Sequence, residues 1–131
     1  MSVKEIRTAL SEDREAVLAF CTQTFPDGDY IEHVWDNWLQ DPAGQLLVAT
    51  IDGQPVGAAH ILMLNGEEAW LEGLRVDPTY RRQGLARALS ETASVEAMRR
   101  GATILRLAVD SQILSPSNCM KVCICVMWEI F

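Results

Sequence analysis

The spacing of hydrophobic and polar positions predicts one short strand followed by two helices in the first forty residues. Residues 5–10 have the apolar content of a strand, and Ser11 before an acidic segment is typical of a helix N-cap. Residues 30–39 repeat apolar side chains at intervals of three and four, the period of an amphipathic helix. Within it we expect Trp35 and Trp38 to form core or the wall of a cleft.

Three apolar runs separated by turn dipeptides form the clearest pattern in the chain. The runs are residues 46–51, 56–64 and 69–76. Asp-Gly at positions 52–53 and Asn-Gly at positions 65–66 favour type I′ turns, so the runs predict an antiparallel meander. His60, in the middle strand, is expected to be an ordinary hydrogen-bonded strand residue.

The second half of the chain predicts a βαβ unit. Residues 85–100 have helical spacing closed by Gly101, and residues 104–109 read as a buried strand that returns across the helix. The fold class is therefore mixed α/β (α+β), a mostly antiparallel central sheet flanked by helices in the order β-α-α-β-β-β-α-β. Residues 121–131 add an atypical C-terminal strand, which pairs with residues 104–109 or with a second copy in a homodimer.

The length of 131 residues fits a single domain over the whole chain. A formal net charge of −7 argues against a nucleic-acid partner, because such proteins need a basic face to neutralise phosphates. The charge is divided unevenly: residues 1–72 hold three basic and thirteen acidic residues, whereas residues 75–106 hold seven basic and three acidic. The basic segment predicts a local anion site, with a solvated basic helix as the alternative.

The compartment is predicted to be the cytoplasm, with no membrane partner. The first residues show no secretory signal pattern, and no run of about eighteen apolar residues occurs. The four cysteines then read as thiols. Cys119, Cys123 and Cys125 do not have the spacing of a common zinc site, so we expect no metal.

A loop rich in donors and small residues precedes the predicted helix at residues 85–100. Its sequence is Arg81-Arg82-Gln83-Gly84-Leu85-Ala86-Arg87. The first amides of a helix lack acceptors within the helix and favour anions, so a pyrophosphate is expected to bind here. Gly84 and Ala86 permit close approach of its oxygens, and Arg81, Arg82 and Arg87 supply charge-assisted hydrogen bonds.

These residues resemble the GCN5-related N-acetyltransferase (GNAT) superfamily, whose signature is Arg/Gln-x-x-Gly-x-Gly/Ala after a Leu-x-Val-x-Pro-like strand end. The chain contains Leu74-Arg75-Val76-Asp77-Pro78 and then Arg81-x-x-Gly84-x-Ala86. The order of the predicted elements also matches, so the resemblance covers about residues 3–110.

The resemblance implies acetyl-coenzyme A as co-substrate, without a metal. It places a bulge near residues 74–76, with backbone groups that bind the pantetheine arm and polarise the thioester carbonyl. The implied cofactor-binding residues are Leu74, Arg75, Val76, Arg81, Arg82, Gln83, Gly84, Leu85, Ala86 and Arg87.

Glu72 is the candidate catalytic base. An amine is mostly ammonium at neutral pH and must lose a proton before it attacks, and the resemblance implies a base on this strand, at Glu72 or at the position of Trp70. The alternative for Glu72 is a surface or cross-strand paired carboxylate. The run from Trp70 to Val76 is similar to amino-acid acetyltransferases of the superfamily, which favours a small amine over a protein as acceptor.

The chain departs from the family's pattern after about residue 110. The family continues with a helix whose Tyr commonly serves as general acid, whereas no Tyr follows Tyr80 in this sequence. The predicted function is acetyl transfer from acetyl-coenzyme A to a primary amine by direct attack in a ternary complex. The alternative is a non-catalytic coenzyme A-binding or oligomerising module.

Overall fold

The computed structural model describes residues 3–24, 31–110 and 122–129. Six strands form one sheet in chain order: β1 (Lys4–Thr8), β2 (Gly44–Ile51), β3 (Gln54–Met63), β4 (Glu68–Val76), β5 (Ile104–Asp110) and β6 (Val122–Glu129). The helices are α1 (Arg14–Thr24), α2 (Ile31–Gln40) and α3 (Leu85–Arg99). All neighbouring strands are antiparallel except β4 and β5, which are parallel. The predicted mixed fold is confirmed; Tyr30, the first residue of the predicted second helix, lies outside the described residues.

Two hydrophobic cores lie on opposite faces of the sheet. Leu47 and Ala49 pack in the core that contains α3, whereas Leu46 and Val48 pack with α1 and α2. Because helices cover both faces, alternate residues of β2 are buried on alternate sides. This explains why the central strands read as continuous apolar runs rather than as alternating patterns.

The two hairpin turns of the meander differ. Asp52 and Gly53 both have positive φ, 52° and 85°, as a type I′ turn requires. Neither Asn65 nor Gly66 has a positive φ, so the type I′ prediction is wrong for the second turn. The Asn65 side chain instead accepts the backbone N–H groups of residues 67–68 at 2.8 and 2.9 Å. That local bonding competes with the tight turn and lengthens the loop.

The start of the first helical segment also differs from the prediction. Ser11–Asp13 forms a 3₁₀ turn before α1, so Ser11 is not the N-cap of a continuous helix. The Asp13 carboxylate accepts the Leu10 N–H at 2.7 Å and pairs with the Arg7 guanidinium at 2.7 Å. Burial raises the pKa of Asp13, but the hydrogen bonds from Arg7 and Leu10 outweigh it and leave the pKa below its usual range.

The C-terminal strand pairs within the chain. β6 runs antiparallel to β5, from Ile104 opposite Glu129 to Asp110 opposite Val122. This is the first of the two pairings that the sequence left open. A homodimer remains a prediction.

Candidate active site

β4 contains a bulge beside its glycine. Ala58 of β3 pairs with Arg75, and His60 pairs with Glu72, so β4 contributes one residue more than β3 over this interval. Gly73, inside the bulge, has φ +66°. The bulge implied by the resemblance is therefore present, slightly earlier in the strand than expected.

The bulge changes which face of the sheet the side chains of β4 after Gly73 occupy. Leu71 and Leu74 both belong to the core that contains α3, although they are three residues apart. Glu72 stands opposite His60 across the strands, on the face covered by α1 and α2. The Glu72 side chain is 23% exposed, so solvent reaches it, while strand pairing fixes the position of its backbone.

β4 and β5 pair over only part of their length. Their parallel ladder runs from Glu68 opposite Ile104 to Leu71 opposite Leu107. Within the described residues the ladder ends there, so residues 72–76 have β3 as their only strand partner. The predicted pantetheine contacts all lie in this segment: Leu74, Arg75 and Val76. Among the described residues, this segment is an open strand edge on the side of β4 that faces away from β3, so an extended chain could pair with it.

The loop predicted to bind the pyrophosphate, residues 81–87, is called the phosphate loop; it follows β4 through a 3₁₀ turn at Pro78–Tyr80. Asp77 fixes that turn by accepting the Thr79 N–H at 2.9 Å. Arg82 and Gly84 then both adopt positive φ, +66° and +78°. Where a residue with a left-handed backbone conformation adjoins one with a right-handed conformation, successive backbone N–H groups point into one concave site. Such a site binds anions.

The side chains of the phosphate loop are mostly exposed. Leu85 is the exception, because its buried side chain anchors the start of α3 in the core. The exposed or half-buried members are Arg81, Arg82, Gln83, Gly84, Ala86 and Arg87. The Lys4 ammonium donates to the Gln83 carbonyl at 3.3 Å and brings a further cation to the loop from β1. Sequence spacing gave no signal for Lys4, since 79 positions separate the two residues.

The remaining cations of the basic segment have structural partners. Arg99 and Arg100 each approach Glu96 to 2.7 Å, and Arg106 lies 3.5 Å from Glu68. Hydrogen bonds from Arg99 and then Arg100 lower the pKa of Glu96. Within the phosphate loop, Arg87 also pairs with a carboxylate, that of the exposed Glu91, at 2.9 Å. Arg99, Arg100 and Arg106 thus serve ion pairs away from the loop.

Trp38, His60 and Glu72 form a cluster, called the acceptor-side cluster because Glu72 is the predicted base for the acceptor amine. The His60 ring is 1% exposed and stacks on Trp38, with centroids 4.4 Å apart and planes 4° apart. Its Nδ1 lies 3.8 Å from Glu72 Oε1, and neither ring nitrogen has a hydrogen-bond partner among the described residues. The expectation of an ordinary hydrogen-bonded histidine is therefore wrong. The missed signal is the length of the loop between β3 and β4: a two-residue turn at positions 65–66 would pair His60 with Leu71, whereas the longer loop pairs it with Glu72.

Two glycines make room for this cluster. A Cβ on Gly73 would lie 2.6 Å from the Trp38 ring and 3.3 Å from Ile31. A Cβ on Gly44 would lie 2.8 Å from His60 Nε2. Trp38 thus covers the β4 bulge, which agrees with its predicted place in core or cleft wall, and Trp35 is fully buried in the same core.

The described part of the chain contains no group of three or more His, Cys, Asp or Glu side chains arranged to hold a metal ion. Cys119 lies outside the described residues. No described helix is long and apolar enough to span a membrane.

The sequence matches the model of the Acetyltransferase (GNAT) family over residues 4–117. The match includes the β4 bulge, the phosphate loop and the acceptor-side cluster. The chain therefore belongs to the GNAT acetyltransferase family.

Known relatives have names that describe acetylation of amines. The chain is 27% identical to a histidine N-acetyltransferase of Scomber australasicus, over 89% of this chain and 35% of that protein. It is 29% identical to an aminoglycoside N(6′)-acetyltransferase type 1 of Klebsiella aerogenes, over 86% of this chain and 82% of that protein. The chain spans 29–35% of the length of the first curated relatives that it matches.

A solved structure shares the fold. The ribosomal-protein-S18-alanine N-acetyltransferase of Escherichia coli superposes with a TM-score of 0.70 at 28% identity, over 83% of this chain and 68% of that one.

Proposed function

We propose that this protein transfers the acetyl group of acetyl-coenzyme A to the primary amine of a small molecule. The observation that carries the proposal is the course of β4, which loses β5 as a partner after Leu71 and leads directly into the phosphate loop. The open segment offers backbone groups to an extended arm, and the loop offers amides and cations to its phosphates.

The residues present fit the co-substrate. Gly84 adopts positive φ at the start of α3 without side-chain bulk, and a Cβ built there would meet no atom within 4 Å. Arg81, Arg82 and Arg87 lie within three residues of Gly84 along the chain and carry positive charge. The proposed cofactor-binding residues are Leu74, Arg75, Val76, Arg81, Arg82, Gln83, Gly84, Leu85, Ala86 and Arg87.

Acetyl-coenzyme A supplies the reactive thioester. The amine nitrogen forms a bond to the carbonyl carbon, the carbon–sulfur bond breaks, and the second proton that the nitrogen loses passes through solvent to the departing thiolate. Glu72 accepts the proton that the ammonium must lose, directly or through water. Backbone N–H groups of residues 74–76 stabilise the negative charge that develops on the acetyl oxygen.

The acceptor is proposed to be a cationic small amine. Glu72 provides a partly exposed carboxylate, and residues 1–72 carry the chain's excess of acidic side chains. The names of the relatives, which refer to histidine and aminoglycosides, support a small amine. A cytoplasmic location and a homodimer are retained as predictions from the sequence.

The test is thiol release from acetyl-coenzyme A with a panel of amines that includes histidine and an aminoglycoside. We expect saturable turnover with at least one amine, and Glu72→Gln should lower kcat by about 10²-fold, the contribution of a positioned general base. The matched control is Glu67→Gln, an exposed acid before the same strand, which should leave kcat unchanged.

Saturable binding of acetyl-coenzyme A without thiol release from any amine would instead favour a non-catalytic binding module. An unchanged kcat in Glu72→Gln would remove Glu72 from the mechanism.

A further inference from the structure

We propose that His60 is a positioning residue for Glu72, to which it donates a hydrogen bond from Nδ1–H. The inference rests on the proposed role of Glu72 as the base that deprotonates the amine. His60 does not reach the reacting atoms; it fixes the carboxylate that does.

The first argument is the geometry of the pair. His60 and Glu72 are directly opposite on β3 and β4, so the sheet holds their backbones together. His60 Nδ1 lies 3.8 Å from Glu72 Oε1. That separation exceeds a hydrogen bond by less than 1 Å, a gap that a small rotation of the Glu72 side chain closes.

The second argument is the hydrogen-bonding capacity of the imidazole. A neutral imidazole has one N–H donor and one acceptor nitrogen, and a buried donor without a partner is costly. Neither His60 nitrogen has a partner among the described residues. Nε2 lies 2.8 Å from where a Cβ on Gly44 would stand, whereas Nδ1 lies 3.8 Å from a carboxylate oxygen, so the proton is best placed on Nδ1.

The third argument is that the ring orientation is fixed independently of Glu72. Trp38 stacks flat on one face of the imidazole, and Gly44 leaves the space that Nε2 occupies. Gly73 in turn leaves the space for the Trp38 ring. The surrounding packing therefore orients Nδ1 towards Glu72 whether or not the hydrogen bond is formed, as a positioning role requires.

A purely structural role is the competing explanation. In that case the ring only fills space beside Trp38, and its protonated nitrogen is irrelevant to Glu72. The two explanations differ in the tautomer of His60 and in which substitutions restore activity.

The tautomer is measurable in the resting protein by imidazole ¹⁵N chemical shifts. The chain has two histidines, and the exposed His33 provides the internal reference. We expect His60 as the Nδ1–H form in the wild type, and a shift towards Nε2–H in Glu72→Ala, which removes the acceptor. An Nε2–H form in the wild type, or no change in Glu72→Ala, would overturn the proposal.

Kinetics of two His60 variants provide the second readout. His60→Phe keeps the stacking on Trp38 and removes the donor, whereas His60→Asn keeps an N–H near the position of Nδ1. We expect His60→Phe to lower kcat about tenfold with an unchanged KM for acetyl-coenzyme A, and His60→Asn to remain within about threefold of the wild type. Equal losses in both variants would contradict positioning.

The Glu72→Gln background separates this proposal from the proposed function. If His60 acts through Glu72, His60→Phe adds no further loss of kcat there, because coupled residues are not additive. Should Glu72→Gln alone leave kcat unchanged, the role of Glu72 as base fails. The ¹⁵N measurement would still decide independently whether His60 is paired with Glu72.

Discussion

The phosphate loop and the acceptor-side cluster are built in opposite ways. The loop is continuous in sequence, mostly exposed, and presents backbone amides at the start of α3. The cluster joins Trp38, His60 and Glu72 from α2, β3 and β4, and its imidazole is buried. A site made of backbone groups therefore depends on local φ angles and charge. A site made of packed side chains depends on the space that residues distant in sequence leave for them.

Two glycines with positive φ test this difference most strongly. Gly73→Ala should lower the free energy of unfolding by about 3 kcal/mol, because its Cβ meets the Trp38 ring as well as straining the backbone. Gly84→Ala shares the positive φ but meets no atom, so we expect a loss of about 1 kcal/mol. Urea denaturation measures both. Equal losses would show that packing against Trp38 does not distinguish the two regions.

The ion pairs that support each region should differ in their effect on stability. The Asp13 side chain, in the 3₁₀ turn before α1, is 5% exposed and pairs with Arg7, whereas Glu96 pairs with Arg99 and Arg100 near the end of α3. Removing a partner from the more buried pair costs more, so we expect losses of about 2 kcal/mol for Asp13→Asn and about 1 kcal/mol for Glu96→Gln at pH 7.

The same pairs should make stability depend on acid. The folded-state pKa of each carboxyl is lowered, so its contribution is complete above the ordinary values of 3.8 and 4.5. It is lost as the pH falls through the lowered folded-state values. Urea midpoints of the variants should therefore approach that of the wild type towards pH 2. A difference that persists undiminished in acid would contradict the ion-pair explanation.

The smallest expected effect concerns a side chain of the phosphate loop. Arg82→Ala should weaken acetyl-coenzyme A binding by only about fivefold, equivalent to about 1 kcal/mol. The effect is small because the Arg82 side chain is exposed and its charge is screened by salt. Arg82→Gly should weaken binding equally but raise stability by about 1 kcal/mol, since it relieves a φ of +66°. Titration calorimetry and urea denaturation measure the two quantities.

The matched control for Arg82 is Arg99→Ala. It removes the same charge from the other end of α3, where Arg99 pairs with Glu96. Binding should be unaffected by this substitution. An equal weakening in both variants would mean that net charge, rather than the loop, governs binding.

Sequence reasoning predicted the features that depend on neighbours along the chain. The turn at Asp52-Gly53, the order of the elements and the glycine at the start of α3 all follow from local φ preferences and periodicity. It failed where a side chain found an unexpected partner. Asn65 bonds the amides that follow it and lengthens its turn, and Asp13 replaces Ser11 as the residue that bonds the amide before α1.

Residues close together in the chain were enough to identify the family, the order of the elements and the loop at residues 81–87 with its glycine at the start of α3. The pairing of Glu72 with His60 and the stacking of Trp38 on His60 depended on the tertiary structure. The physical reason is strand register: the loop between β3 and β4 is one residue longer than the two-residue turn that Asn65-Gly66 predicts, and this shift places Glu72 rather than Leu71 opposite His60.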